Sequence, residues 1–289
     1  MQEKAYEARL NSLRQVLQNS RGDIAFSIDE GRYPRSSGGE VAYALIRPSS
    51  STRLTILFHG TGNDLLFTWQ ELIKELLAKG RSVLIFDLDG HGSGSSTILK
   101  RADFWQMTKD LKNFLHEKDL QDYPYELVGY SLGALAILEA VYSETLQPER
   151  SVLIALPLRI TLTTRFVLNE LRCLLAKDFY RQALRFGWRE AVPAFGKFRR
   201  SSFPLRLEEH YRDFYPALVD DLLKDKPPLS MKNKLGHNCL FIFGTHDVLA
   251  SNNAGWKETA SEILVIDRAN HFLLPFHRRT IEAISAWIG

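Results

Sequence analysis

A chain of 289 residues, 45% of them hydrophobic, has the length for one large α/β domain, with or without an insertion, and the composition for a sizeable core. Its formal charge of +3 is too slight over that length to imply nucleic-acid binding. Its two cysteines, Cys173 and Cys239, have neither metal-ligand spacing nor a disulfide framework and read as buried thiols.

The N-terminal stretch carries no apolar signal-peptide core, and no run of about 18 apolar residues occurs anywhere. The expectation is a cytoplasmic protein without a membrane span. Tyr6, Leu10, Leu13 and Leu17 form one stripe among charged residues, which predicts an amphipathic helix docked on the domain. Arg32 to Gly39 reads as a Pro/Ser/Gly loop, and Glu40 to Ile46 as an early strand. Leu54 to Phe58 is a short, continuous apolar run, the mark of a strand buried on both faces. It ends in His59-Gly60-Thr61-Gly62. A helix over 67–79 follows, then a buried strand from Ser82 to Phe86 and the loop Asp87 to Ser95. A helix from about Ala102 to Lys118 leads to a strand near Tyr125 to Val128.

That strand runs straight into Gly129-Tyr130-Ser131-Leu132-Gly133, and a helical pattern from Leu132 to Tyr142 follows at once. Strand, tight turn and helix are the context in which Gly-x-Ser-x-Gly means a nucleophile elbow. The turn puts the serine in a strained conformation, so its flanking positions must lack bulk, and Gly129 and Gly133 meet that demand. The Ser131 hydroxyl is then lifted clear of the sheet, with the Leu132 amide at a helix N-terminus beside it. The bland alternative is an ordinary glycine-flanked turn.

Ser151 to Leu156 reads as a fourth buried strand. From Pro157 to Leu235 no convincing strand appears, and alternation resumes with strands at Cys239 to Phe243 and Ile263 to Ile266 and a helix at Arg278 to Ile288. Strands alternating with helices predict a doubly wound, mainly parallel α/β sheet. The expected organisation is an N-terminal helix and loop over 1–39, a core over 40–156 and 236–289, and a helical cap over 157–235. Such a cap sits above the strand ends, where open α/β sheets bind ligands.

A hydroxyl is a poor nucleophile near neutral pH, so Ser131 needs a base, the base an orienter, and the oxyanion its donors. Downstream, Asp247 follows Phe241-Ile-Phe-Gly244 off one strand, and His271 follows Val265-Ile266 off the last. With these residues the sequence resembles the α/β-hydrolase superfamily over nearly all of 40–289. The motifs are His59-Gly60-Thr61-Gly62, Asp87-x-x-Gly90-x-Gly92, Gly129 to Gly133, Gly244-x-x-Asp247 and Asn270-His271. The resemblance implies a Ser131 nucleophile, a His271 base, an Asp247 orienter, and an oxyanion hole from the backbone amides of Thr61 and Leu132. It says little about substrate. Asn270 stands where the family usually has glycine, Ala134 replaces a frequent second glycine, and Gly94 stands where serine is frequent.

Among other polar residues, His59, His91 and His246 read as loop braces. Asp87 and Asp89 lack a third ligand, so neither metal nor cofactor is expected. Lys74 with Glu75 and Lys109 with Asp110 read as solvated helix faces, and Asp220 and Asp221 as alternative acids within the cap. The cap holds sixteen Lys/Arg against nine Asp/Glu. Lys177, Arg181, Arg185 and Arg189 recur every four residues and align as one basic stripe. This is a solvated face, or it meets an anionic carrier such as acyl-CoA or acyl carrier protein, or, as a third and weaker option, it docks on a membrane surface.

The function expected is a serine esterase or thioesterase acting on a small acyl substrate. C–C bond hydrolysis or acyl transfer by the same triad is the alternative. A non-catalytic protein that kept the pocket is a third reading, against which the complete Ser/Asp/His set argues.

Overall fold

The computed structural model describes residues 25–65, 69–92, 94–160, 205–224, 238–250 and 262–289, with isolated positions elsewhere. Eight strands form one sheet: β1 (Phe26–Pro34), β2 (Glu40–Pro48), β3 (Leu54–Phe58), β4 (Ser82–Phe86), β5 (Tyr125–Tyr130), β6 (Arg150–Ile154), β7 (Cys239–Gly244) and β8 (Glu262–Ile266). Their order is β1-β2-β4-β3-β5-β6-β7-β8, and only β2 runs against the rest. The helices are α1 (Gln70–Ala78), α2 (Gln106–Glu117), α3 (Leu132–Tyr142), α4 (Tyr211–Leu223) and α5 (Arg278–Ile288). Helix α1 touches α5 and α2 touches α3, giving two helix pairs that flank the sheet. This is the expected doubly wound, mainly parallel α/β fold.

Strands β3, β4 and β7 are buried at every position, as their continuous apolar runs require. Helix α3 is apolar nearly all round, because it lies between the sheet, α2 and α4. Two elements differ from expectation. The loop expected from Arg32 begins inside β1, an edge strand that β2 holds in register from Phe26↔Pro48 to Pro34↔Glu40. The helix expected from Ala102 starts at Gln106, because Ala102 to Trp105 are turns, across which Trp105 Nε1 donates to the Ala102 carbonyl at 2.9 Å. The basic stripe Lys177, Arg181, Arg185 and Arg189 and the N-terminal stripe Tyr6, Leu10, Leu13 and Leu17 lie outside the described residues. No described helix is long and apolar enough to cross a membrane.

At the amino ends of the parallel strands the sheet closes on a charge network. Glu126 is fully buried and accepts from Arg81 at 2.6 Å and Arg53 at 2.9 Å, with Thr55 Oγ1 at 3.3 Å. Arg81 also donates to the carbonyl of Ile288, which ties α5 to the sheet. At the carboxyl ends the loops are braced by buried polar groups. Asp87 accepts from the Leu65 amide at 2.8 Å and Ser95 Oγ at 3.1 Å, and Asp89 pairs with Arg35 at 2.9 Å. Asp110, expected on a solvated face, is buried instead and accepts from Ser36 Oγ at 2.7 Å, closing the β1–β2 turn against α2.

His59 pins two loops together: its Nδ1–H donates to the Gly60 carbonyl at 2.8 Å, while Nε2 accepts from the Leu88 amide at 2.9 Å. His91 lies against it with ring centroids 5.2 Å apart and donates from Nδ1 to the Asp89 carbonyl at 2.8 Å. Burial lowers the His59 pKa to about 4, and burial together with the charge of a protonated His59 lowers that of His91 to about 3.

Two outcomes are expected. Glu126→Ala leaves Arg81 buried without its carboxylate, and urea unfolding should read a loss of roughly 3–5 kcal/mol. Both histidines are neutral in the folded state at neutral pH, whereas the unfolded chain takes up protons below about 6.5. Their contribution is therefore complete above pH 6.5 and is lost as pH falls toward 4 and 3. Thermal melts between neutral and acid pH should show a falling Tm, with a shallower fall in His91→Asn. Parallel pH profiles for the two proteins would exclude His91 as a source of the effect.

Candidate active site

Four strand ends build the site. Ser131 sits between β5 and α3 with φ 51° and ψ −109°, a conformation that L-residues rarely adopt. Such a turn requires the next helix to start very close to the neighbouring strand. A β-carbon on Gly133 would lie 2.2 Å from the carbonyl oxygen of Phe58 at the end of β3, so only glycine fits. Gly60, in the loop after β3, packs on the face of Tyr130. A β-carbon there would meet the ring at 2.6 Å and Ser131 Cβ at 3.3 Å. The Gly60–Thr61 segment therefore lies directly beside Ser131.

Asp247 lies just beyond β7. Its Oδ1 accepts from the amides of Leu249 at 3.0 Å and Ala250 at 2.9 Å, which orients the carboxylate and leaves Oδ2 for another donor. His271 follows β8. Asn270 supplies the local order there: its side chain accepts from the Leu273 amide at 2.9 Å and its carbonyl from the Leu274 amide at 3.2 Å. Asparagine in place of the family's glycine thus caps the turn that carries the histidine.

The structure brings the three expected residues together. His271 Nε2 is 3.0 Å from Ser131 Oγ, and His271 Nδ1 is 2.9 Å from Asp247 Oδ2. Asp247 accepts only as a carboxylate, so Nδ1 carries the proton and Nε2 faces the serine hydroxyl as an acceptor. Asp247 is 1% exposed, His271 3% and Ser131 7%, so the whole hydrogen-bonded line is buried, the serine least deeply. Thr61 and Leu132 flank it. Among the described residues, neither of their amides is taken up by a backbone hydrogen bond of the loops and turns.

One contributor escapes sequence reasoning. The Tyr130 hydroxyl donates to the His271 carbonyl at 3.1 Å, so the residue before the serine also fixes the histidine segment. Nothing in the pentapeptide signals that contact, because it joins positions far apart in the chain. Asp220 and Asp221 lie on α4, and Asp221 is engaged by Arg101 at 3.0 Å. His246 is exposed beside Asp247. Among the described residues no cluster of three metal-ligating side chains occurs.

Residues 49–193 match the Hydrolase_4 family, described as serine aminopeptidase, S33. No curated protein sequence matches the chain. Among solved structures, it is similar to a hydrolase from Pseudomonas aeruginosa PA01, at 18% identity and TM-score 0.62, over 90% of this chain and 98% of that one. A thermophilic esterase from Thermogutta terrifontis is similar at 17% identity and TM-score 0.61, over 90% and 98% of the two chains. An enol-lactonase from Burkholderia xenovorans LB400 is similar at 16% identity and TM-score 0.62, over 89% and 99%. Identities this low speak for the shared fold, whereas the family match spans just over half of the residues. The chain is a hydrolase of the α/β-hydrolase superfamily and belongs to its serine aminopeptidase, S33 family.

Proposed function

We propose that the protein cleaves a carboxylic ester or thioester through an acyl-Ser131 intermediate. The observation that carries this reading is the line Ser131 Oγ, His271 Nε2, His271 Nδ1 and Asp247 Oδ2, with steps of 3.0 and 2.9 Å. Ser131 Oγ attacks the acyl carbonyl as its proton passes to His271 Nε2. Asp247 stabilises the imidazolium, and the amides of Thr61 and Leu132 donate to the oxyanion. The leaving alcohol or thiol takes the proton from His271. Water, deprotonated by the same nitrogen, then releases the acid and restores Ser131. In this reading the segment 157–235 acts as the cap that receives the acyl group.

Ser131→Ala should lose about 10⁴-fold or more in turnover of p-nitrophenyl esters and should no longer react with a fluorophosphonate probe. Asp247→Asn should fold normally yet lose roughly 10²- to 10⁴-fold, while Asp220→Asn and Asp221→Asn keep their activity. Equal labelling of wild type and Ser131→Ala would remove the serine from the reaction. An amino-acid p-nitroanilide belongs in the same panel, because the family's description carries peptidase chemistry. Its turnover in preference to esters and acyl-CoAs would replace the ester reading.

The proposed carrier partner rests on the basic stripe of Lys177, Arg181, Arg185 and Arg189. Reversing Arg181 and Arg185 to Glu should raise KM for acyl-CoA and flatten its salt dependence, while a short neutral p-nitrophenyl ester is turned over unchanged. Loss on both substrates alike would point to a damaged cap.

A further inference from the structure

The amino ends of the strands, opposite to Ser131, enclose a cavity of about 430 Å³. It lies where β1 begins, β2 ends and β4 begins, with Leu120 and Tyr123 of the loop between α2 and β5 on its other side. Strand register sets its polar wall. Ser27 pairs with Arg47 across β1 and β2, and the pairing of Ile46 with Val83 brings Ser82 to the other side of Arg47. Residues paired across strands point to one face, so Arg47 stands between two serines that line the cavity with it.

Among the described residues of the lining, Arg47 alone is charged, and no carboxylate faces it. Its side chain is half-buried, and its Nε is buried without a hydrogen-bond partner. Other buried or half-buried arginines are engaged: Arg53 and Arg81 by Glu126, and Arg35 by Asp89. Asp29, two residues along β1 from Ser27, is taken by Lys118 at 2.8 Å. Ser49 and Ser51 spend their hydroxyl protons on the carbonyls of Ala25 and Arg53, at 3.3 and 2.9 Å, which leaves Ser27, Ser82 and Tyr123 to donate beside the guanidinium. Covering the sheet face does not require this group, since a leucine or methionine would do so without stranding a donor. Positive charge and donors without an acceptor in the fold mark a place for an oxyanion, which the arginine fork suits. The volume exceeds what a bare anion needs and falls in the range of small organic ligands.

We propose that this cavity binds a small organic anion, a carboxylate or phosphate carried on an apolar body. Arg47 is the principal contact of the anionic group, with Ser27, Ser82 and Tyr123 as hydrogen-bond donors. Phe26, Pro48 and Leu120 supply apolar wall for the rest of the ligand. The site stands at the far end of the strands from Ser131 and does not depend on the acyl-serine reading.

The test is titration of the full chain with phenyl phosphate, benzoate and neutral benzyl alcohol, read by calorimetry and by thermal shift. The expected result is saturable one-to-one binding of at least one of the two anions, with a rise in Tm of about 3 °C or more at saturation, and none with the alcohol. Preference for phenyl phosphate identifies the group as phosphoryl, and preference for benzoate identifies it as carboxylate. Arg47→Gln should weaken that binding by roughly 10- to 100-fold, whereas Arg279→Gln, a charge control on exposed α5, should bind as the wild type. The Tm of Arg47→Gln without ligand should hold or rise, because a stranded donor has been removed. Ser27→Glu makes the comparison independently of that variant's folding: its carboxylate, opposite Arg47 on an exposed edge, should take the guanidinium and abolish binding. Binding of neither anion, equal binding to wild type and both site variants, or equal loss in Arg279→Gln would overturn the proposal. Each of these outcomes would leave the acyl-serine reading untouched, since none of the measurements uses turnover.

Discussion

The structure depends on how closely α3 begins beside the end of β3. With Gly133 against the Phe58 carbonyl, the chain has room to reverse at Ser131 only through a positive φ. Such a conformation costs on the order of 1–3 kcal/mol and persists because its surroundings over-determine it. Here they do: β5 is paired on both sides, by β3 and β6, and α3 is buried along nearly its whole length. The strain raises the hydroxyl off the sheet, toward the histidine, and points the first amides of a helix at the same space.

Around that point, each strand-end loop is held by contacts that reach another loop. His59 joins the loop after β3 to the loop after β4, and Tyr130 joins the β5 turn to the histidine segment after β8. The Asp247 carboxylate spends one oxygen on its own backbone turn and the other on His271. In the proposed reaction, charge moving along a line held by backbone donors costs little reorganisation, as preorganised sites require. The amino ends of the same strands carry a different load: the Glu126 network joins β3, β5 and the start of β4 to the end of α5. The candidate site and the closure of the sheet thus occupy opposite ends of the same strands.

Much of this was legible in the sequence because it is local. Continuous apolar runs identify β3, β4 and β7, since a strand covered on both faces needs apolar side chains at every position. Gly129 to Gly133 between a strand pattern and a helix pattern places Ser131, and strand-end loops place Asp247 and His271, because turn chemistry is written in adjacent residues. Only the tertiary structure decided what depends on distant pairing. The segment Phe26–Pro34 carries Asp29, Glu30, Gly31 and Arg32, no strand pattern, and becomes β1 because β2 offers it an edge. Asp110 looks solvated in its helix and is buried because Ser36 and Arg35 fold over it. The pairing of His271 with Asp247 and not with Asp220 or Asp221 likewise follows from packing between segments far apart in the chain. A hydrophobic period reports which face of an element is covered, and the identity of the element that covers it is set only when the chain folds.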